Sequence, residues 1–183
     1  MKPVIYAKLL AADYENVCPH DWTHLDRLVW GKASARVIEK GGFRLGLITG
    51  TNDIYDMLVH DALMAIPWKG GTRWWGMGGY IYASKVYGFM KAMKINALAG
   101  HSIGGTVAQI IGSSLRVETS CFNPARSLIP FQRQPDGADM VTNYLTEDII
   151  NKLPPWNSHV GRVVKINAMG HSIRACIKGL RSS

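Results

Sequence analysis

The stretch GHSIG at residues 100–104 contains a serine, Ser102, with a glycine two residues away on each side. It lies between a nearly continuous apolar run, residues 95–100, and a helix candidate rich in small residues, 103–115. Between a strand and a helix, this spacing is typical of a sharp turn that exposes a nucleophilic hydroxyl, because larger residues at the glycine positions would collide with the two elements. The helix N-terminus also directs amides toward a developing anion. The alternative is an ordinary strand-to-helix turn built from small residues.

A serine hydroxyl becomes a good nucleophile when a histidine takes its proton and a carboxylate orients that histidine. In folds that carry this turn, the acid and then the histidine follow the serine along the chain. Two histidines follow Ser102, namely His159 and His171, and the last acidic residues of the chain are Glu147 and Asp148. The candidates for a catalytic triad are therefore few.

Position relative to the predicted strands separates these candidates. His171 comes where a strand candidate ends and a helix candidate begins, so we expect it at the carboxyl edge of the sheet, where active sites of such sheets lie. His159 precedes a strand, which favours a structural loop histidine. Glu147 and Asp148 follow a strand and reach the carboxyl edge, and aspartate is the commoner orienting residue. The remaining acids after the serine precede or begin strands: Glu118, Asp136 and Asp139.

The hydrophobic patterns predict strands that alternate with helices. Residues 34–50 read as a hairpin with a turn at Gly41-Gly42. Apolar periodicity or short apolar runs predict the following helices and strands: helices at 52–66, 80–94, 103–115 and 172–180, and strands at 95–100, 117–122, 139–145 and 161–167. This order indicates one α/β domain over residues 1–183, with a mostly parallel sheet that the hairpin makes partly antiparallel.

Several of these segments resemble the class 3 (fungal-type) lipases of the α/β-hydrolase superfamily. The segment GHSIGG is similar to the family's Gly-His-Ser-Leu-Gly-Gly turn, and ITGTNDIYDMLVHD at 48–61 is similar to its strand, oxyanion turn and lid region. EDIINKLPP at 147–155 resembles the family's Asp-Pro-Val-Pro-x-Leu-Pro-Pro stretch. SHVG at 158–161 matches a histidine that is not catalytic in the family. The chain departs from the family in its shorter length and in Met77, which stands where a histidine is usual.

The resemblance implies a small α/β-hydrolase fold that hydrolyses carboxylic esters through an acyl-enzyme. It implies Ser102 as the nucleophile, Asp148 as the orienting carboxylate and His171 as the base, with oxyanion amides from Thr51 and Ile103. This chemistry needs no cofactor and no metal, and its substrate is a small-molecule ester or a lipid. The alternative is a catalytically inactive lipase-like domain that binds a lipid or a protein.

The resemblance also suggests a role for the segment after the oxyanion turn. Residues 54–66 place more apolar side chains on a helix than one buried face requires. We hypothesise that they form, with Trp68, a lid or a fixed apolar wall over the serine. The alternative is a plain helix packed on the sheet.

Composition and charge indicate a globular chain. The residues are 47% apolar and 19% charged, and no apolar run approaches the roughly 20 residues that cross a bilayer. We find no export signal and expect a cytoplasmic protein whose three cysteines are free thiols.

The net charge of +8 is spread singly, which predicts no nucleic-acid partner but favours a mild attraction to lipid surfaces with anionic headgroups. His20 and His24 have a spacing that holds zinc on a helix, but without a third ligand we expect ordinary packing. The sequence leaves the oligomeric state open.

Overall fold

In the computed structural model of the chain, the residues described are 1–30, 33–50, 77–126, 134–152 and 158–182. They form four helices: α1 (Pro3–Tyr14), α2 (Met77–Ala92), α3 (Ile103–Leu115) and α4 (Ile173–Ser182). They also form seven strands: β1 (Thr23–Trp30), β2 (Ala33–Lys40), β3 (Phe43–Thr49), β4 (Ala97–His101), β5 (Glu118–Phe122), β6 (Val141–Glu147) and β7 (Arg162–Met169). Two short 3-10 turns precede and follow β6, at Ala138–Met140 and Ile150–Lys152.

The strands form one sheet in the order β1-β2-β3-β4-β5-β6-β7. The first two pairings are antiparallel, and the four from β3 to β7 are parallel. The predicted α/β class with a mostly parallel sheet is therefore confirmed. All five residues of β4 are buried, as expected of a central parallel strand that is covered on both faces.

The predicted hairpin is formed by β2 and β3, which pair from Ser34 with Thr49 to Lys40 with Phe43. Gly41 and Gly42 connect them with φ angles of +57° and +80°. Two successive residues with positive φ make the turn whose twist matches that of the flanking strands, and glycine adopts this conformation without strain.

Helices cover both faces of the sheet, and β4 contributes to the core on each side. Leu98 belongs to the apolar cluster under α2 and α3, which also contains Val107. Its neighbours Ala97 and Ala99 belong to the cluster under α1 and α4, together with Leu10. Because successive side chains of a strand point to opposite faces, the short strand β4 joins two cores and holds the residue that follows it in a fixed place.

The first thirty residues differ most from the sequence-based expectations. Helix α1 and strand β1 were not predicted, although α1 has a proline in its first turn, where that residue is well tolerated. His24 lies in β1 and the fully exposed His20 lies in the preceding turn, so the helical spacing considered for a zinc pair is absent. The strand expected at 139–145 begins at Val141, because Ala138–Met140 forms a 3-10 turn.

Some expectations fall on residues that the structure does not describe. The predicted helix at 52–66, Trp68 and Thr51 all lie outside the described residues. Among the described helices, none is long and apolar enough to span a membrane. All three cysteines are free: Cys18 is half-buried, whereas Cys121 and Cys176 are buried.

Candidate active site

Ser102 occupies the single position between β4, which ends at His101, and α3, which begins at Ile103. Its backbone has φ +56° and ψ −129°, a conformation that costs a non-glycine residue on the order of 1–3 kcal/mol and is found mostly at functional sites. Its N–H donates to the carbonyl of Phe122 on β5, at 3.0 Å. This hydrogen bond to the neighbouring strand helps to hold Ser102 in the strained conformation.

The two glycines that flank the serine are required by close backbone contacts. A Cβ atom on Gly104 would lie 2.3 Å from the carbonyl oxygen of Ile48 on β3. A Cβ atom on Gly100 would lie 2.5 Å from the carbonyl oxygen of Gly104. Since neither backbone can move away easily, the glycine spacing in the sequence reflects the tight packing of β3, β4 and α3 around the turn.

The structure brings Ser102, His171 and Asp148 together. The Nε2 atom of His171 lies 2.7 Å from the Oγ atom of Ser102, and its Nδ1 atom makes a short hydrogen bond with Oδ2 of Asp148. An ionised carboxylate only accepts, so Nδ1 carries the proton and Nε2 accepts from the serine hydroxyl. The Asp148 side chain is 9% exposed and that of His171 is 25% exposed. The carboxylate is thus shielded from water while the histidine is open to a substrate.

The structure does not bring the other candidates into this cluster. His159 is buried, and its Nε2 atom is hydrogen-bonded to the carbonyl of Asn151 at 2.9 Å. Burial lowers the pKa of His159. The Glu147 side chain is exposed, and the carbonyl of Glu147 accepts a hydrogen bond from the N–H of Gly170 at 3.2 Å. The structure therefore places His171 and Asp148 beside Ser102, whereas His159 bonds Asn151 and Glu147 is exposed.

Of the two residues expected to supply oxyanion amides, the structure describes Ile103. Ile103 is the first residue of α3, and the first amides of a helix have no partner within that helix. Thr51 lies outside the described residues, but Gly50, which precedes it, packs against the serine turn: a Cβ atom there would lie 3.2 Å from Cβ of Ser102. The end of β3 therefore reaches the nucleophile.

Asn123 and Thr146 hold the backbone of the loop that carries His171, and sequence reasoning missed both. The Nδ2 atom of Asn123 donates to the carbonyls of Gly170 and His171, at 3.2 and 3.0 Å. Thr146 Oγ1 donates to the carbonyl of Gly170 at 2.6 Å, and its N–H donates to Oδ1 of Asn123 at 2.8 Å. Asn123 is fully buried with φ +43°, a conformation that asparagine tolerates better than most residues. The only signal in the sequence was its place in the segment CFNPARS, directly after a predicted strand.

His101 is a buried histidine next to the cluster, and sequence reasoning gave it no role. Its Nε2 atom lies 2.8 Å from the carbonyl of His171, and its Nδ1 atom lies 2.8 Å from the hydroxyl of Tyr14. The Tyr14 hydroxyl in turn accepts from the N–H of Gly50 at 3.0 Å. Burial lowers the pKa of His101 to about 4, so its ring is neutral at neutral pH.

Comparison with known proteins gives the fold. No family model matches the chain, and no curated protein matches it. Solved structures of fungal lipases do match. One fungal lipase is 14% identical with a TM-score of 0.55, over 94% of this chain and 81% of that one. A mutant form of MDLA from Penicillium cyclopium is 13% identical with a TM-score of 0.57, over 93% and 78%.

A third structure, described as showing an unusual buried polar cluster in a family of fungal lipases, is 13% identical with a TM-score of 0.53, over 93% and 79%. At these identities the likeness is one of fold. The chain has the α/β fold of the fungal lipases, and the resemblance expected from its motifs is confirmed at that level.

Proposed function

We propose that this protein is a serine hydrolase of carboxylic esters, of the lipase or esterase type. The observation that carries the proposal is the geometry of His171, with one ring nitrogen 2.7 Å from the Ser102 hydroxyl and the other bonded to Asp148. A carboxylate with little exposure, a histidine in a defined tautomer and a strained serine together form the arrangement that acyl transfer requires. The lipase-like fold supports the same conclusion.

The reaction proceeds in two halves. Nε2 of His171 takes the hydroxyl proton as Ser102 Oγ attacks the ester carbonyl, and Asp148 stabilises the imidazolium that forms. The protonated His171 then gives its proton to the leaving alcohol, which leaves an acyl group on Ser102. Water, deprotonated by the same nitrogen, attacks this acyl-enzyme and releases the acid with the serine restored.

Stabilisation of the oxyanion falls to two amides, those of Ile103 and Thr51. The first lies at the N-terminus of α3, whose dipole also favours negative charge. The second follows Gly50, which packs against the serine turn. An amide fixed before the reaction, as that of Ile103 is by α3, stabilises the transition state without reorganisation. The substrate is a small-molecule ester or a lipid, and the reaction needs no cofactor.

The test combines a covalent probe with hydrolysis. Wild-type protein is treated with a fluorophosphonate, and its kcat/KM is measured on nitrophenyl esters of increasing chain length, on thioesters and on a panel of phospholipids. Ser102→Ala is expected to abolish labelling and to lower kcat on the order of a million-fold. Ser113→Ala is the matched control, because Ser113 lies in α3, the helix that follows Ser102, is buried, and donates its hydroxyl proton to the carbonyl of Ile110 at 3.0 Å.

Three results would contradict the proposal. Absence of both labelling and hydrolysis in folded wild-type protein would favour a domain that binds a lipid or a protein without reaction. Equal activity of Ser102→Ala and wild type would show that another residue is the nucleophile. An equal loss of activity in Ser113→Ala would show that the effect of the serine substitution is structural.

A further inference from the structure

A chain of hydrogen bonds connects the end of β3 to the loop of His171 through two side chains outside the triad. The N–H of Gly50 donates to the hydroxyl of Tyr14 at 3.0 Å, and that hydroxyl lies 2.8 Å from Nδ1 of His101. The Nε2 atom of His101 lies 2.8 Å from the carbonyl oxygen of His171. Three segments that meet at the active site, from β3, β4 and the loop after β7, are joined in one line.

The direction of each hydrogen bond follows from the groups present. A carbonyl only accepts, so Nε2 of His101 must carry a proton to bond the carbonyl of His171. The neutral ring then offers a lone pair at Nδ1, which the hydroxyl of Tyr14 fills by donating its proton. The Tyr14 oxygen still has a lone pair for the N–H of Gly50. One tautomer and one hydroxyl orientation therefore satisfy every member of the line.

The two side chains are held firmly by their surroundings. Tyr14 is the last residue of α1, and the preceding residue, Asp13, forms a buried ion pair with Arg36 on β2, with Oδ1 and Nε 2.8 Å apart. The ring of Tyr14 meets that of His101 edge to face, with centroids 5.5 Å apart. His101 is itself the last residue of the buried strand β4. Both side chains are therefore attached to regular secondary structure, Tyr14 to α1 and His101 to the sheet.

We propose that Tyr14 and His101 are positioning residues for the reaction, an inference that rests on the proposed function. They fix the carbonyl of His171 relative to the amide of Gly50, and so place the catalytic imidazole and the strand end that leads to Thr51 around the same serine. Both act through the backbone of these segments, and the ring of His101 also packs against that of His171, with centroids 5.2 Å apart. A displacement of about 1 Å in such a group can lower a rate about 100-fold, and His171 depends on these contacts because it lies in a loop.

The first test is Tyr14→Phe, which removes one oxygen and leaves the ring. The N–H of Gly50 and Nδ1 of His101 both lose their hydrogen-bond partner. The position of the His171 loop relative to β3 is then no longer fixed by this line. We expect kcat on a nitrophenyl ester, per site titrated with a fluorophosphonate, to fall about 100-fold, while KM stays within about twofold. We also expect the far-downfield proton resonance of His171 Nδ1–H to move upfield or broaden, because its contact with Asp148 loosens.

Tyr6→Phe is the matched control. Tyr6 lies on the same helix, its ring is fully buried, and its hydroxyl donates to Oε1 of Glu118 at 3.1 Å. Glu118 is the first residue of β5, so this bond lies at the amino edge of the sheet, opposite the active site. Tyr6→Phe is expected to lower the melting temperature without changing kcat per titrated site or the His171 resonance.

A second pair of variants tests His101. His101→Gln keeps a donor and an acceptor, whereas His101→Phe keeps only a planar apolar ring. We expect His101→Gln to retain at least about tenfold more activity per titrated site than His101→Phe. Equal activity of these two folded variants would contradict a hydrogen-bonding role for residue 101.

Other outcomes separate this inference from the proposed function. Wild-type kcat and an unchanged His171 resonance in Tyr14→Phe would overturn the positioning role, and so would an equal loss per site in Tyr6→Phe. A wild type that neither labels nor hydrolyses would contradict the proposed function instead. In that case the His171 resonance in Tyr14→Phe still shows whether the line of hydrogen bonds fixes the position of the His171 ring.

Discussion

The Nε2 atom of His171 and the Oγ atom of Ser102 lie 2.7 Å apart although 69 positions separate the two residues in the chain. Ser102 follows β4 and His171 follows β7, with β5 and β6 between them in the same parallel sheet. Because parallel strands end at a common edge, residues that follow different strands can meet there, and active sites of such sheets lie at this edge.

Because Asp148 contacts His171, substitutions of Asp148 and of its neighbour Glu147 should affect the hydrolysis rate very differently. Asp148→Asn is expected to lower kcat about ten-thousand-fold, because an amide no longer enforces the tautomer in which Nε2 of His171 accepts a proton. Glu147→Gln should change kcat less than about threefold, since its side chain is exposed. Steady-state hydrolysis of a nitrophenyl ester measures both. Losses of similar size would mean that the orienting carboxylate is wrongly assigned.

Alanine substitutions at Gly104, in the tight turn, and at Gly88, in the helix α2, should have opposite effects on stability. Gly104→Ala places a Cβ atom 2.3 Å from the carbonyl of Ile48, and we expect a loss of at least about 3 kcal/mol in the free energy of unfolding. Gly88, in α2, has nothing within 4 Å of its Cβ position, so Gly88→Ala should add about 0.5–1 kcal/mol. Denaturant titration of both variants checks the pair. A stable Gly104→Ala would show that β3 and α3 can separate.

Burial of His101 predicts a loss of stability in acid. Its pKa is about 4 in the folded chain and 6.5 when exposed, so between these values the unfolded chain binds more protons. As the pH falls through this window, the free energy of unfolding should decrease by about 3 kcal/mol on account of this residue. Residue 101 in His101→Gln does not titrate. Its stability relative to wild type should therefore improve as the pH falls from 6.5 to 4.

Denaturant titration of both proteins at steps across this window measures the difference. Other groups, such as His159 with its lowered pKa and Asp13 with its raised pKa, contribute equally to the two proteins and cancel. A constant difference between wild type and His101→Gln would show that His101 takes up its proton in the folded chain as readily as in the unfolded one.

The cysteines are expected to play no part in hydrolysis. Cys121 is fully buried within β5, and burial raises the pKa of its thiol; burial likewise raises the pKa of Cys176 to about 12. An alkylating reagent should therefore modify Cys18 first and the other two only on unfolding, with activity retained. Cys121→Ala should hydrolyse esters at the wild-type rate per folded molecule. Inactivation of the native protein in step with modification of Cys121 would contradict this.

Local patterns in the sequence predicted much of the fold and the three residues of the candidate triad. The glycine pair at 41–42 predicted the hairpin, and the helix expected at 103–115 is α3 without any shift. The turn at Ser102 was recognisable because its glycines are required by contacts with the strand and helix that flank it. Position after a predicted strand indicated His171 and either Glu147 or Asp148, and the resemblance of 147–155 to the class 3 lipases selected Asp148. These features depend on neighbours in the chain or on the order of elements, which a sequence displays directly.

The tertiary structure alone decided what holds these residues in place. Helix α1 was not predicted, yet its last residue, Tyr14, bonds His101 from 87 positions away. His101 in the sequence is only the residue before the serine; its neutral state and its bond to the carbonyl of His171 exist because α1, β4 and the loop after β7 bury it together. Asn123 likewise acts through backbone carbonyls about fifty positions later. Hydrogen bonds to backbone carbonyls leave no pattern in residue types, since every residue has a carbonyl, and so packing alone determines which one is bound.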